Sequence, residues 1–549
     1  MKKTILYLAS LFAVAGGTIA CDDFLNEPVN GQQSLDSYFV TEDEAASYLN
    51  GCYNALTFYG WWQVQNFWIM TDMCSDDMWM GNLAQSQSDY ISLAHYQGIG
   101  QSNGPLNNYW MHRYKGILSC NVAINRIPNA HFQDQSKQQR FIGEAKFLRA
   151  YYYFELVKNF GGVPIVDDFK MPDEVAGIER ASAEEVWALV EKDFKEAAEV
   201  LPVSYSSEVG RATKYAALSF LGKALVYQGK WEEAAKVLNE VINSGTYALM
   251  EDFGDVWSVD TNNNKESIFE MQTKFDETYA LGNALSVVSA NRTEVNDGWA
   301  WGLPTSDLEK AFIDEGDYER LKWTIIKNGA TEIAGEPDFE ELVAKQYEAQ
   351  SSQHKDMVEG TYYISPDVHK SARVSRKLYI PYKKRPSKWS QDFIPLNIRL
   401  LRYADVLLLA AEAEAELGKS AEACNHLNQV RERVHREAVN LSGNMLKQAI
   451  RTERRLELAL EYNRLYDIRR WESLEHPGHK VIADILGPSG SFVVRNTNPA
   501  TADPYEYAAT KEPSDKGKGF DESRDLVFPI PLYEIEHSNG TIVQNPGWN

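Results

Sequence analysis

The sequence predicts a mostly α-helical protein: tetratricopeptide-like helix pairs form a scaffold that carries large irregular, loop-rich excursions. Three observations predict it. Two segments repeat one helix–turn–helix design of about 34 residues with Gly-Lys at the turn. Capping and 3.6-residue apolar signals recur along the chain. Between them lie long aromatic, turn-rich stretches, Tyr59 to Gly104, Gly245 to Pro304 and His476 to Lys518, too long for plain connections.

Taken in order, the elements begin with a signal segment. Lys2 and Lys3 precede an apolar or small-residue run from Thr4 to Ala20, too short to span a bilayer and shaped as a secretory signal. Cys21 follows, and Thr18-Ile19-Ala20-Cys21 resembles a bacterial lipobox, in which Cys21 is acylated and becomes the first mature residue. Such a chain is anchored to a membrane without crossing it. Asp22-Asp23 resembles the acidic signal that sends Bacteroidetes lipoproteins to the cell surface. The expected organisation is residues 1–20 signal, 21–33 lipidated cysteine and tether, 34–245 an N-terminal helical region, and 246–549 a C-terminal region packed with it as one unit.

Thr41 with Glu44 forms a capping box that opens a helix through Leu56. Arg140 to Asn159 is a further helix. In the first pair, Ala217, Leu221, Ala224 and Leu225 share a face, Gly229-Lys230 breaks it, and Trp231, Ala234, Leu238, Val241 and Ile242 continue. In the second, Leu400, Ala404, Leu407, Ala411 and Ala415 precede Gly418-Lys419, then Cys424, Leu427, Val430 and Val434. One such pair cannot cover its apolar face and must stack on another. Leu446 to Trp471 reads as a last helix, with Arg454–Glu457 and Glu461–Arg464 as local ion pairs.

Of 549 residues, 44% are apolar and 24% charged, an ordinary globular balance, and the formal net charge is −23. Removal of Lys2 and Lys3 with the signal takes this to −25. Such a chain repels nucleic acid and anionic membrane surfaces, whereas a neutral polymer is tolerated. The remaining cysteines, Cys52, Cys74, Cys120 and Cys424, show no C-x-x-C and read as buried thiols, with one disulfide left open.

Several stretches together resemble the SusD/RagB family of glycan-binding outer-membrane lipoproteins. GEAKFLRAYYYFELVKNFGGVPIV (Gly143 to Val166) is similar to its aromatic helix ending in Gly-Gly-Val-Pro. WGLPTSDLEKAF (Trp301 to Phe312) resembles a mid-chain signature. RLLRYADVLLLAAEAEAELG (Arg399 to Gly418) and IRTERRLELALEYNRLYDIRRW (Ile450 to Trp471) look like its C-terminal helices, and FPIPLYEIEHSNGTIVQNPGW (Phe528 to Trp548) like its ending. The resemblance implies an α-superhelix of four helix pairs, non-catalytic capture of poly- or oligosaccharide, and a SusC-like TonB-dependent transporter as partner. It also implies a lipid-anchored place on the outer membrane facing the exterior. No cofactor is implied apart from a covalent lipid on Cys21, with a structural cation left open.

A sugar offers an apolar C–H face and a rim of hydroxyls, so its receptor needs exposed aromatics beside Asp, Asn or Arg. An even spread of the 14 tryptophans would put about 0.5 in 19 residues, yet Trp61, Trp62, Trp68 and Trp79 fall in one such window. Asp72, Asp76, Asp77 and Asn82 accompany them. Tyr279, Asn291, Arg292, Trp299 and Trp301 form a second group. Trp68 and Trp301 read as core. Trp61, Trp62, Trp79 and Trp299, with Asp76, Asp77, Asn82, Tyr279, Asn291 and Arg292, are the expected glycan contacts.

Two other classes compete. A secreted glycoside hydrolase needs two carboxylates flanking the bond, and Asp76-Asp77 is the only acid pair beside a tryptophan cluster. Gly100-Gln101-Ser102-Asn103-Gly104 matches G-x-S-x-G, but no buried strand precedes it and Pro105 follows, so it reads as a loop. A structural or adhesin lipoprotein would share the anchor without paired tryptophans and acids in loops.

Overall fold

A computed structural model describes residues 38–57, 68, 70–80, 88–170, 172–293, 298–365, 371–390, 393–492 and 516–548. Cys21 and the signal segment lie outside the described residues.

The fold is mostly helical, with three two-stranded antiparallel pairs among the described residues. Helix α1 (Glu42–Asn54) starts at the expected capping box, with both reciprocal bonds between Thr41 and Glu44 in place. The long helices α2 (Gly104–Arg126) and α3 (Gln135–Phe160) pack together, and α3 also packs on α4 (Ala183–Val200). From there α5 (Lys214–Tyr227), α6 (Trp231–Asn243), α7 (Tyr403–Glu416), α8 (Ser420–Arg433) and α9 (Gly443–Glu457) each pack on the next, except that α9 also rests on α7. Asn103, within the G-x-S-x-G run, N-caps α2 and Pro105 sits in its first turn, so the motif is a helix entry.

Both Gly-Lys turns take one shape. Gly229 and Gly418 have φ +70° and +74°, where a side chain is strained, and the lysine after each has φ −81° and ψ 65°. Gly222 of α5 lets α6 approach, since a Cβ there would lie 2.4 Å from the Leu238 side chain. A single apolar core runs from Phe39 to Ile542, with a smaller cluster around Trp79, Ala300, Leu303, Tyr362 and Tyr379. Cys52, Cys74, Cys120 and Cys424 are buried free thiols.

Three expectations are corrected. Leu400 is not helical: strand Ile398–Arg402 pairs with Ser267–Met271, and α7 begins only at Tyr403. The helix foreseen over Leu446 to Trp471 breaks after Glu457, with Leu460 and Tyr462 at positive φ, and resumes at Arg464–Arg470. The local ion pairs foreseen there give way to tertiary ones. Arg454, wholly buried, binds Asp405 and Asp467, while Glu457 meets Arg320, Arg402 and Arg433. Glu461 takes Lys377 and Arg402. A buried guanidinium needs several acceptors, which one helix face cannot supply.

Candidate functional site

The site is built where two segments more than 200 residues apart are sewn together. Strand Met78–Trp79 pairs antiparallel with Leu303–Pro304, matching Trp79 to Leu303. The Thr305 backbone N–H donates to the Asp77 carbonyl at 2.9 Å and its hydroxyl to the Asp76 carbonyl at 2.7 Å. Beyond this junction a helical turn, Leu285–Val288, anchors the second aromatic group. The carbonyls of Val287, Ala290 and Val288 accept from the N–H groups of Trp299, Ala300 and Trp301. Gly298 is required at this closure, because a Cβ would stand 2.4 Å from the Ala290 carbonyl oxygen. Trp299 is left half-buried, edge-on to buried Trp301 with ring centres 5.8 Å apart.

The two tryptophan regions therefore meet, but the side chains divide differently from expectation. Trp68 and Trp301 are core, as read from the sequence. Trp79 is buried too, packed in the smaller cluster, because its strand turns the ring inward against Ala300 and Leu303. Asp76 and Asp77 do not face solvent. Arg464 grips Asp76 with two bonds of 2.8 and 2.9 Å, and Arg455 reaches Asp76, Asp77 and Asp307. Burial pushes the Asp76 carboxyl up, but Arg455 and Arg464 outweigh it and hold it well below the usual carboxylate range. Burial raises Asp77, with Arg455 opposing and Asp76 adding. Asn291 is 1% exposed and spent internally, donating to the Tyr363 carbonyl and accepting from Thr293. These four residues serve as the frame of the site, a correction to the sequence expectation. Tyr279 at 59% exposure, Arg292 and half-buried Trp299 present side chains to solvent. Trp61, Trp62 and Asn82 lie outside the described residues.

Sequence reasoning missed the loop after strand Arg373–Ser375. There Arg385 lies over the Trp389 ring at 5.1 Å, and Trp389 is half-buried. Weighing tryptophans by clustering passed over this isolated one. Its loop and the Ser286–Asn291 turn enclose a cavity of about 10 Å³. A larger cleft of about 170 Å³ lies elsewhere, lined by Tyr205, Arg211, Tyr247 and Glu270 among others. Its polar groups are already engaged: Tyr205 with the Ala212 carbonyl, Tyr247 with Thr213, Arg211 with Glu144 and Asn50. Groups committed internally have little left for a ligand, so the Trp299 side is the stronger candidate.

A largely helical scaffold holding an aromatic loop site defines a class seen in known proteins. Residues 265–548 match the SusD family, and residues 23–226 match a family described as starch-binding and associating with the outer membrane. The chain belongs to the SusD family. It is 25% identical to SusD-like protein P2 of Formosa agariphila over the full length of both chains. It is 26% identical to a SusD-like protein of Bacteroides ovatus, covering 86% of this chain and 83% of that one. A laminarin-binding SusD-like protein superposes with TM-score 0.72 at 25% identity, covering 93% of this chain and 100% of the other. A SusD-like protein of Bacteroides fragilis gives 0.75 at 25%, covering 95% and 100%.

Proposed function

We propose that this protein captures a neutral poly- or oligosaccharide at the outer face of the outer membrane, without cleaving it, and passes it to a SusC-like TonB-dependent transporter. The observation that carries the reading is Trp299, a half-buried indole on a loop pinned by three backbone hydrogen bonds, with Tyr279 and Arg292 also facing solvent. A ring whose orientation is set before binding stacks on a sugar face at little entropic cost. Family membership supports it, as does the laminarin-binding relative. The net charge of −23 favours an uncharged polymer.

The non-catalytic reading is supported by the fate of the one acid pair beside the tryptophans. Asp76 and Asp77 are tied to Arg455 and Arg464, so neither is placed to protonate a leaving group or activate water. A few stacking rings at about 1 kcal/mol each, with several hydroxyl bonds, give micromolar to millimolar affinity, suited to a receptor that releases its cargo. Cys21 carries the lipid, residues 22–33 the tether, and residues 34–245 and 246–549 pack as one unit.

Isothermal titration against laminarin, starch and other neutral polysaccharides, with a reducing-sugar assay alongside, tests the reading. Heat without product is expected. Product would establish a hydrolase, and silence across the panel would leave a structural lipoprotein. Cys21→Ala releases the protein from membranes, and co-purification of a TonB-dependent barrel with the intact lipoprotein tests the delivery step.

A further inference from the structure

The turn that anchors Trp299 also forms one wall of the small cavity. Ser286, Ser289 and Asn291 line it from the turn, Ser375 from the strand end, and Tyr379 and Trp389 from the following loop. Its volume of about 10 Å³ is that of a single water. Buried polar atoms of its lining include Ser286 Oγ, Ser375 Oγ and Trp389 Nε1, which have no hydrogen-bond partner among the described residues, and the Arg385 guanidinium, which donates to the Ile380 carbonyl, lines it as a further donor. Ser289 and Asn291 are satisfied elsewhere.

Unmet buried polar atoms are costly, and three lining one water-sized space are an unfilled demand. The chemistry of that demand is narrow. The indole N–H only donates, so the occupant must accept; two serine hydroxyls can each give or take a hydrogen. A methyl group answers none of them, a metal cation cannot accept, and a carboxylate is too large for the space. One oxygen carrying hydrogen fits: water or an alcohol. The lining keeps contact with solvent through half-buried Ala290, Arg385 and Trp389, so the space can exchange its contents.

We propose that this cavity is a subsite for a single hydroxyl group, held by an ordered water in the free protein and taken over by a hydroxyl of the bound carbohydrate. The second half rests on the glycan reading above; the first does not. Replacing a water that already satisfies three groups by a hydroxyl that does the same keeps the hydrogen bonds and releases the water. The subsite thereby discriminates hydroxyl-bearing units from deoxy or methylated ones at that position.

The test has two arms. A crystal structure of the free protein that orders single waters is expected to show one within hydrogen-bonding distance of all three atoms; an empty cavity overturns the proposal. Titration of laminarin and starch into wild type, Trp389→Phe and Ser286→Ala is expected to show about 3- to 10-fold weaker binding for each variant at unchanged melting temperature. Trp389→Phe removes the donor together with the five-membered ring, so Ser286→Ala, which removes a single oxygen, is the sharper of the two variants. Affinities equal to wild type in both variants would sink the hydroxyl subsite while leaving the glycan reading intact. Wild type that binds no polysaccharide would sink the glycan reading and the displacement with it, whatever the cavity water shows.

Discussion

Arg455 is the residue whose loss should be felt most at the junction beneath the site. It holds Asp77 at 2.7 Å, Asp307 at 2.8 Å and Asp76 at 3.0 Å. In Arg455→Met, Asp76 keeps its two bonds to Arg464, but Asp77, wholly buried, retains only a 3.9 Å approach from that guanidinium. Stranding one buried charge costs about 3–5 kcal/mol. Protonation sets a ceiling: neutralising a carboxyl costs about 1.4 kcal/mol per pH unit above its pKa, at most about 4 kcal/mol at pH 7 and under 2 at pH 5 for a group starting at 3.8, and less for Asp77, which burial already raises. With an unfolding entropy of about 2.1 cal/mol/K per residue over 549 residues, the neutral-pH loss lowers the melting temperature by at most about 4 °C. The shift should shrink to at most about 1–2 °C at pH 5, where protonation relieves the stranded charge. Asp77→Asn on top of Arg455→Met should restore most of the stability at pH 7. Scanning calorimetry of the wild type, both single variants and the double variant reads this cycle. A double variant no more stable than Arg455→Met, or a loss independent of pH, would refute the account of Asp77 as the stranded group.

Trp79→Ala should lower the melting temperature by about 3–4 °C, since emptying a buried indole site costs about 3–5 kcal/mol; an unchanged transition would put the ring at the surface. Trp299→Ala removes an edge-on pair worth about 1 kcal/mol and the burial of about half an indole, about 2 kcal/mol more, so melting should fall by about 2–3 °C while retention in a polysaccharide affinity gel falls clearly. Retention equal to wild type would take Trp299 out of the site. Asp72 is raised by burial and by Asp77, so the folded state binds its proton more tightly than the unfolded one, and stability from this group falls as pH rises from about 4. Asp72→Asn, which can still accept from the Tyr462 N–H, should match wild type near pH 4 and exceed it increasingly toward pH 8 in thermal unfolding; a constant difference across that range would contradict the raised carboxyl.

Local patterning determined the scaffold. A capping box, apolar spacing at three and four residues, and Gly-Lys turns act within a dozen residues, so α1, α5–α6 and the turn into α8 were legible directly. The tryptophan-dense stretch from Trp61 to Trp79 was also legible as unusual, but its pairing with Leu303–Pro304 had no local signal. The facing of side chains was not legible either. Trp79 and Asp76–Asp77 sit in a stretch that pairs with Leu303–Pro304 and is gripped by Arg455 and Arg464, partners more than 200 and more than 370 residues away. A strand alternates its faces, so which face is inward depends on what it packs against, and one dimension does not contain that. The same holds for Arg454 and Glu457, whose spacing suggested each other and whose burial demanded acceptors and donors from four other segments. The cavity at Ser286, Ser375 and Trp389 has no local signature at all, since its three polar atoms come from separate segments that only the closed fold brings together.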